Sequence, residues 1–165
     1  MVWSRLRRRL EPPDVPSAIT DPPTPDEVPA LRHSLAELNR DINRNAGRLP
    51  GRAVVNARGV SDTVREILQT ADARPLDVYA VMSVRGIVQD YLPTTIKSYL
   101  AVDAALVDIA RDSMATPTQS LLEQIQALQT SASATLMAVR AQDVDAVMTQ
   151  GSFLRTKFTG SDLDL

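Results

Sequence analysis

The chain has 165 residues, a formal net charge of −2, no cysteine and a single histidine. This length suits one folded domain with appendages. Without cysteine the sequence offers no disulfide framework, thiol nucleophile or cysteine-based zinc site. Only 4% of the residues are aromatic, so the core must be built from aliphatic residues and methionine, which favours packed helices over a β-sandwich. We therefore expect an all-α protein, and we predict no catalytic residue, metal ligand or cofactor.

No apolar run approaches the roughly 20 residues that a membrane-spanning helix requires, and the best stretch, Leu76 to Val84, contains Asp77. The first ten residues lack the apolar segment of a secretory signal. We expect a cytoplasmic protein whose mature chain begins near Met1.

Residues 1–10 form a basic amphipathic arm, in which apolar side chains can share one side of a short helix and arginines occupy the rest. The apolar residues are Val2, Trp3, Leu6 and Leu10, and the basic ones are Arg5, Arg7, Arg8 and Arg9. Tryptophan with clustered arginine suits the headgroup region of an anionic membrane. Two interpretations remain open: peripheral contact with the inner face of the membrane, through Trp3 and the four arginines, or a disordered arm that contacts nothing.

Residues 11–29 are predicted to be a linker, because recurrent proline fixes extended backbone and removes hydrogen-bond donors. Residues 30–158 are predicted to form a helical bundle domain, and residues 159–165 a frayed tail. The prolines of the linker are Pro12, Pro13, Pro16, Pro22, Pro23, Pro25 and Pro29.

Apolar residues at spacings of three and four predict two helices in the first half of this domain. The first carries Leu31, Leu35, Leu38 and Ile42 and ends near Asn45 to Gly47. The second extends from about Val54 to Ala71, with Gly59 as a point where it bends or splits.

Prolines mark the predicted starts of the remaining helices. Pro75 suits the first position of a third helix that ends near Tyr91, and Pro93 begins a fourth that closes near Arg111 to Met114. Thr116-Pro117-Thr118-Gln119 has the form of a capping box and predicts the start of a fifth helix. A further helical segment is expected from Asp143 to Lys157. The predicted fold is an elongated antiparallel bundle of five or six helices behind a disordered N-terminal arm.

Other patterns have ordinary structural interpretations. His33 lies between two residues of the first apolar stripe and should face solvent. Four arginines recur every fourth position and favour a solvated face over a dedicated anion site, and four methionines at helical spacing favour core packing over an adaptable binding groove. The arginines are Arg40, Arg44, Arg48 and Arg52, and the methionines are Met82, Met114, Met137 and Met148.

Asp143-Val144-Asp145-Ala146-Val147 matches the paired-carboxylate pattern of haloacid-dehalogenase-like phosphatases. That pattern belongs at the end of an early strand, whereas here it follows a helical segment near the C-terminus. A chance match is the favoured interpretation, and a phosphoester hydrolase is the alternative function.

The segment Val88-Gln89-Asp90-Tyr91-Leu92-Pro93-Thr94-Thr95-Ile96-Lys97-Ser98-Tyr99-Leu100 resembles the Tyr-Leu-Pro-x-Thr region of XpaC-like proteins, the "5-bromo-4-chloroindolyl phosphate hydrolysis" family. A long amphipathic helix, Asp143 to Ala146, and Phe153-Leu154 are similar to that family's C-terminal end. Together the resemblance covers about Leu76 to Phe158. The membrane segments of some members are absent, and the tail from Lys157 to Leu165 is more acidic than theirs.

The resemblance implies association with a TelA-like toxic-anion-resistance protein, which is itself long and helical. We therefore expect a non-enzymatic helical adaptor, active in toxic-anion or envelope stress, whose partner contacts Tyr91, Leu92, Pro93 and Tyr99. Assembly of the protein into a homo-oligomer is compatible with this expected adaptor function. A nucleic-acid-associated protein using residues 40–58 is a further alternative, which the absence of an overall basic charge disfavours.

Overall fold

The structure is a computed structural model, and it describes residues 27–110 and 115–159. Within these ranges the regular secondary structure is entirely helical, as the composition predicted. The basic arm, most of the linker and residues 160–165 lie outside the described residues. No helix in the described ranges has a stretch both long and apolar enough to cross a bilayer.

Five α-helices follow one another along the chain: α1 (Glu27–Asn45), α2 (Gly51–Thr70), α3 (Val78–Arg85), α4 (Leu92–Leu100) and α5 (Pro117–Thr159). A short 3-10 turn, Ala46–Arg48, lies between α1 and α2. A π turn, Gly86–Tyr91, joins α3 to α4, so that residues 78–100 are helical without interruption. The described chain therefore has four helical stretches, and the predicted number of five or six is not confirmed.

Asp26 and Glu27 indicate a helix start, and α1 begins at Glu27, so this start is confirmed whereas the predicted end of the linker at residue 29 was wrong. Pro29 lies within the first turn of α1, where a backbone N–H would have no acceptor within the helix. Other predicted boundaries were also wrong. α3 begins at Val78 rather than at Pro75, because the Asp77 carboxylate caps it by accepting a hydrogen bond from the Ala80 N–H at 2.9 Å. The second predicted helix is confirmed as the single helix α2, which Gly59 does not divide. The separate helical segment predicted from Asp143 was wrong, because α5 is continuous for 43 residues.

The expected continuation of the fourth helix to Arg111–Met114 was also wrong, because α4 ends at Leu100 and residues 101–110 form turns. The Asp103 side chain accepts a hydrogen bond from the Ala105 N–H at 2.9 Å, a local bond that competes with helix geometry. Leu106 and Ile109, two apolar residues of this segment, are exposed.

Cross-helix hydrogen bonds give the relative directions of α1 and α2. Arg32, near the start of α1, donates to the Leu68 carbonyl near the end of α2 at 2.8 Å. Arg58, in the first half of α2, donates to Asn43 Oδ1 near the end of α1 at 2.7 Å. The two helices are therefore antiparallel.

The same reasoning orients α5. Thr95 on α4 bonds to Gln124 at 3.1 Å and Ser83 on α3 bonds to Thr135 at 2.8 Å, so α5 is antiparallel to the stretch 78–100. Arg140 forms an ion pair with Glu66 at 2.6 Å, towards the end of α2. Consecutive helical stretches thus alternate in direction.

One hydrophobic core joins all of these helices. The predicted stripe of α1, Leu31, Leu35, Leu38 and Ile42, is buried as expected. The capping box of α5 is also confirmed, because Gln119 N–H donates to Thr116 Oγ1 at 3.1 Å and Thr116 N–H donates to Gln119 Oε1 at 2.9 Å. The buried stripe of α1 and the start of α5 were therefore predicted correctly.

Ser61, on the buried side of α2, is the one polar residue within the core of the described residues, and its hydroxyl has no hydrogen-bond partner among them. A buried hydroxyl without a partner destabilises the folded state, because it loses its hydrogen bonds to water and gains none in the protein. We expect Ser61→Ala to raise the free energy of unfolding by about 1 kcal/mol, measured by urea denaturation. Ser133→Ala is the matched control and should not stabilise, because Ser133 Oγ lies 3.2 Å from Gln129 Nε2. A loss of stability in Ser61→Ala would contradict the expectation.

Candidate partner-binding surface

The residues predicted to contact a partner lie around the junction of the π turn and α4, but they do not share one exposed surface. Leu92 is fully buried and Tyr99 is buried, whereas Pro93 is half-buried and Tyr91 is exposed. The Tyr99 hydroxyl lies 3.3 Å from Thr118 Oγ1 on α5, beside a cavity of about 160 Å³ between α4 and α5. Of the four residues, Tyr91 alone presents most of its side chain to the surface.

Pro93 accounts for the unusual backbone of this junction. A proline inside an α-helix has no N–H to donate, and its ring clashes with the carbonyl four residues earlier, here that of Gln89. Over Gly86–Tyr91 the helix widens into a π turn, and the Leu92 N–H donates to the Ile87 carbonyl five residues before it. The helix consequently continues past a proline that the sequence analysis treated as a break.

The spacing of buried residues is compatible with this turn. Val84, Val88, Leu92 and Ile96 are all buried, at intervals of four. In a regular α-helix each interval of four advances about 40° beyond a full turn, so Ile96 would lie about 120° from Val84, within the width of an ordinary buried face. A π turn has hydrogen bonds between residues i and i+5 and rotates less per residue, so it narrows this spread.

On the outward side of the same stretch lies a set of residues that we name the α3 face: Tyr79, Met82, Gly86, Asp90 and Tyr91. Tyr79 is 77% exposed, Met82 46% and Tyr91 61%. The Tyr91 ring covers Gly86, where an added Cβ would meet Tyr91 Cε2 at 2.9 Å. Gly86 therefore provides the space in which Tyr91 lies along the helix surface.

Two acidic residues lie at the ends of the α3 face. Asp77 precedes it and accepts a hydrogen bond from Gln142 Nε2 at 3.1 Å, and Asp90 is exposed within it. No ion pair to either carboxylate is formed by the side chains that the structure describes. The α3 face is thus apolar in the middle and negatively charged at its ends.

Sequence reasoning missed Tyr79 and misjudged Met82. Met82, Met137 and Met148 are exposed, so the interpretation of these methionines as core filling was wrong, and Met114 lies outside the described residues. The three exposed methionines do not lie on one helix, because Met82 is on α3 and the other two are on α5. Tyr79 falls one residue before the buried Ala80 and Val81, yet it is 77% exposed.

The remaining predicted groups have local roles. His33 is exposed, as predicted, and lies 3.4 Å from Glu37. Arg40 pairs with Glu37 at 3.8 Å and Arg44 with Asp41 at 3.2 Å, while Arg48 donates to the Leu100 carbonyl. These contacts agree with a solvated arginine face.

The paired carboxylates of the alternative hydrolase interpretation lie on α5, and Asp143 pairs with Arg74. Residues two apart on an α-helix project about 200° from each other, so Asp143 and Asp145 do not converge on one point. No cluster of three or more metal-ligating side chains is present in the described part of the chain. The basic residues of the arm, and Trp3, lie outside it.

Comparison with known proteins adds nothing to these observations: no family model, no curated protein and no solved structure matches this chain.

Proposed function

We propose that this chain is a non-enzymatic helical adaptor that binds an amphipathic helix of a protein partner on the α3 face. The observation that carries the proposal is the exposure of Tyr79, Met82 and Tyr91 along one side of a single helical stretch. Tyrosine and methionine are enriched at protein interfaces, where they bury large areas and keep a polar or adaptable end. An amphipathic partner helix could lay its apolar side against these exposed side chains.

The XpaC-like resemblance suggests that the partner is a TelA-like protein, in the cytoplasm or at the inner face of the membrane, during toxic-anion or envelope stress. The remainder of the predicted architecture, an elongated antiparallel bundle of five or six helices, stays a prediction. A homo-oligomer is a further prediction that the same surface accommodates.

The partner test uses charge substitutions that should leave the fold intact. Tyr79→Lys and Tyr91→Lys remove exposed apolar area and should abolish co-purification with the TelA-like protein. Their far-ultraviolet circular dichroism and melting temperature should stay unchanged, since neither side chain is part of the core. Val55→Lys is the matched control, because Val55 is 67% exposed in the first turns of α2. Undiminished capture of the TelA-like protein by both folded tyrosine variants would contradict the α3 face as its binding surface.

We also propose that the arm contacts anionic membranes through Trp3, Arg5, Arg7, Arg8 and Arg9. Each arginine near such a surface contributes about 1 kcal/mol, and added salt screens this attraction. Emission from Trp3, the only tryptophan of the chain, should shift to the blue on addition of phosphatidylserine-rich vesicles at low salt. The shift should diminish in high salt and be absent with vesicles of neutral lipid. No response at low salt, with the protein folded, would remove this part of the proposal.

A further inference from the structure

We infer that the N-terminal arm, residues 1–10, binds the α3 face of its own chain and covers it in the absence of other partners. This inference concerns two parts of one chain, and it stands or fails separately from the adaptor function. Three features carry it: where α1 begins, the length of the linker and the complementary chemistry of the two segments.

The position of α1 places the arm's attachment beside the α3 face. Glu27, the first residue of α1, forms an ion pair with Arg85 on α3. Gln89 in the π turn donates to Ser34 at 3.0 Å, so α1 and the stretch 78–100 lie side by side and point the same way. Tyr79 and Tyr91 are each six residues from Arg85, which is about 9 Å along the helix axis. The linker therefore starts level with the middle of the helical stretch that carries the α3 face, about 9 Å along the axis from either end.

The linker is long enough for the arm to reach every part of this face. Residues 11–26 connect the arm to α1, and in polyproline geometry, at about 3.1 Å per residue, they span up to about 50 Å. Covalent attachment makes binding of the arm to this face intramolecular, so the arm does not have to be present at a high concentration in solution. A short amphipathic segment can thus occupy the face even when its intrinsic affinity is weak.

The two segments are complementary in polarity and charge. The arm contains the apolar residues Trp3, Leu6 and Leu10, at spacings of three and four, and four arginines. The α3 face has the exposed Tyr79, Met82 and Tyr91, with Asp77 and Asp90 at its ends. The arm can make apolar contacts in the middle of the α3 face and attractive arginine–aspartate contacts at its margins. The α3 face of a second copy of the chain is a less favourable occupant, because it would bring aspartates close to aspartates.

Covering the face in this way has a functional consequence. Trp3 and Leu6 cannot lie against α3 and insert into a membrane at the same time. Binding of the arm to a membrane would consequently uncover the α3 face, and the arm would act as an autoinhibitory segment.

The test uses Trp3 emission in the intact protein without lipid. We expect a blue-shifted emission maximum and reduced quenching by acrylamide, because the indole is removed from water. The double variant Tyr79→Lys/Met82→Lys should lose both effects while keeping the circular dichroism of the parent protein. Val55→Lys serves as the control and should keep both, since Val55 lies in the first turns of α2, near the opposite end of α1.

Three results would overturn the inference. The first is wild-type emission identical to that of a synthetic peptide of residues 1–10. The second is a blue shift that persists in the double variant, which would place the arm elsewhere. The third is a blue shift that grows with protein concentration, because binding within one chain is independent of concentration whereas binding between copies is not.

Discussion

Leu92→Asp is expected to abolish cooperative folding. Leu92 has no exposed surface and follows the π turn, where it packs in the core shared by the helices. An aspartate there would either bury an unpaired charge or force the helix away from the core. The free-energy cost of either change exceeds the small free energy of unfolding of a typical domain. The expected result is the loss of the sigmoidal thermal transition in far-ultraviolet circular dichroism, which reports the helix content of the protein.

Tyr91→Asp is the control for that variant, because it places the same charge on the neighbouring residue. Tyr91 is exposed, so Tyr91→Asp should unfold cooperatively with a melting temperature close to that of the parent protein. A cooperatively folded Leu92→Asp protein would show that Leu92 lies on an accessible surface, contrary to the structure.

Ile125→Ala should lower the free energy of unfolding by about 2–5 kcal/mol, as expected for a fully packed isoleucine that leaves a cavity. Ile125 is 1% exposed, and the prediction tests whether α5 shares the core of α1 to α4. Urea denaturation followed by circular dichroism measures the change through the transition midpoint at constant slope.

Met137→Ala is the control on the same helix. Met137 is 71% exposed, so its truncation should change the free energy of unfolding by less than about 0.5 kcal/mol. Equal effects of the two substitutions would mean that α5 does not contribute its Ile125 face to the core.

The sequence by itself determined the helical class, the buried stripe of α1 and the start of α5. Each depends on interactions between residues close in the chain: Leu31, Leu35 and Leu38 repeat with the helix period, and Thr116 and Gln119 satisfy each other's backbone N–H groups. Such features need no knowledge of the rest of the fold.

Tertiary structure decided where the helices end and which apolar side chains remain exposed. The helix continues past Pro93 through a π turn, with Val88, Leu92 and Ile96 all buried in the core. Tyr79, Met82 and Met137 are residue types that often occur in protein cores. They are exposed because no neighbouring helix in the described part of the chain packs over them. Burial depends on contacts between residues distant in the chain, and for this reason the α3 face could not be read from helical spacing alone.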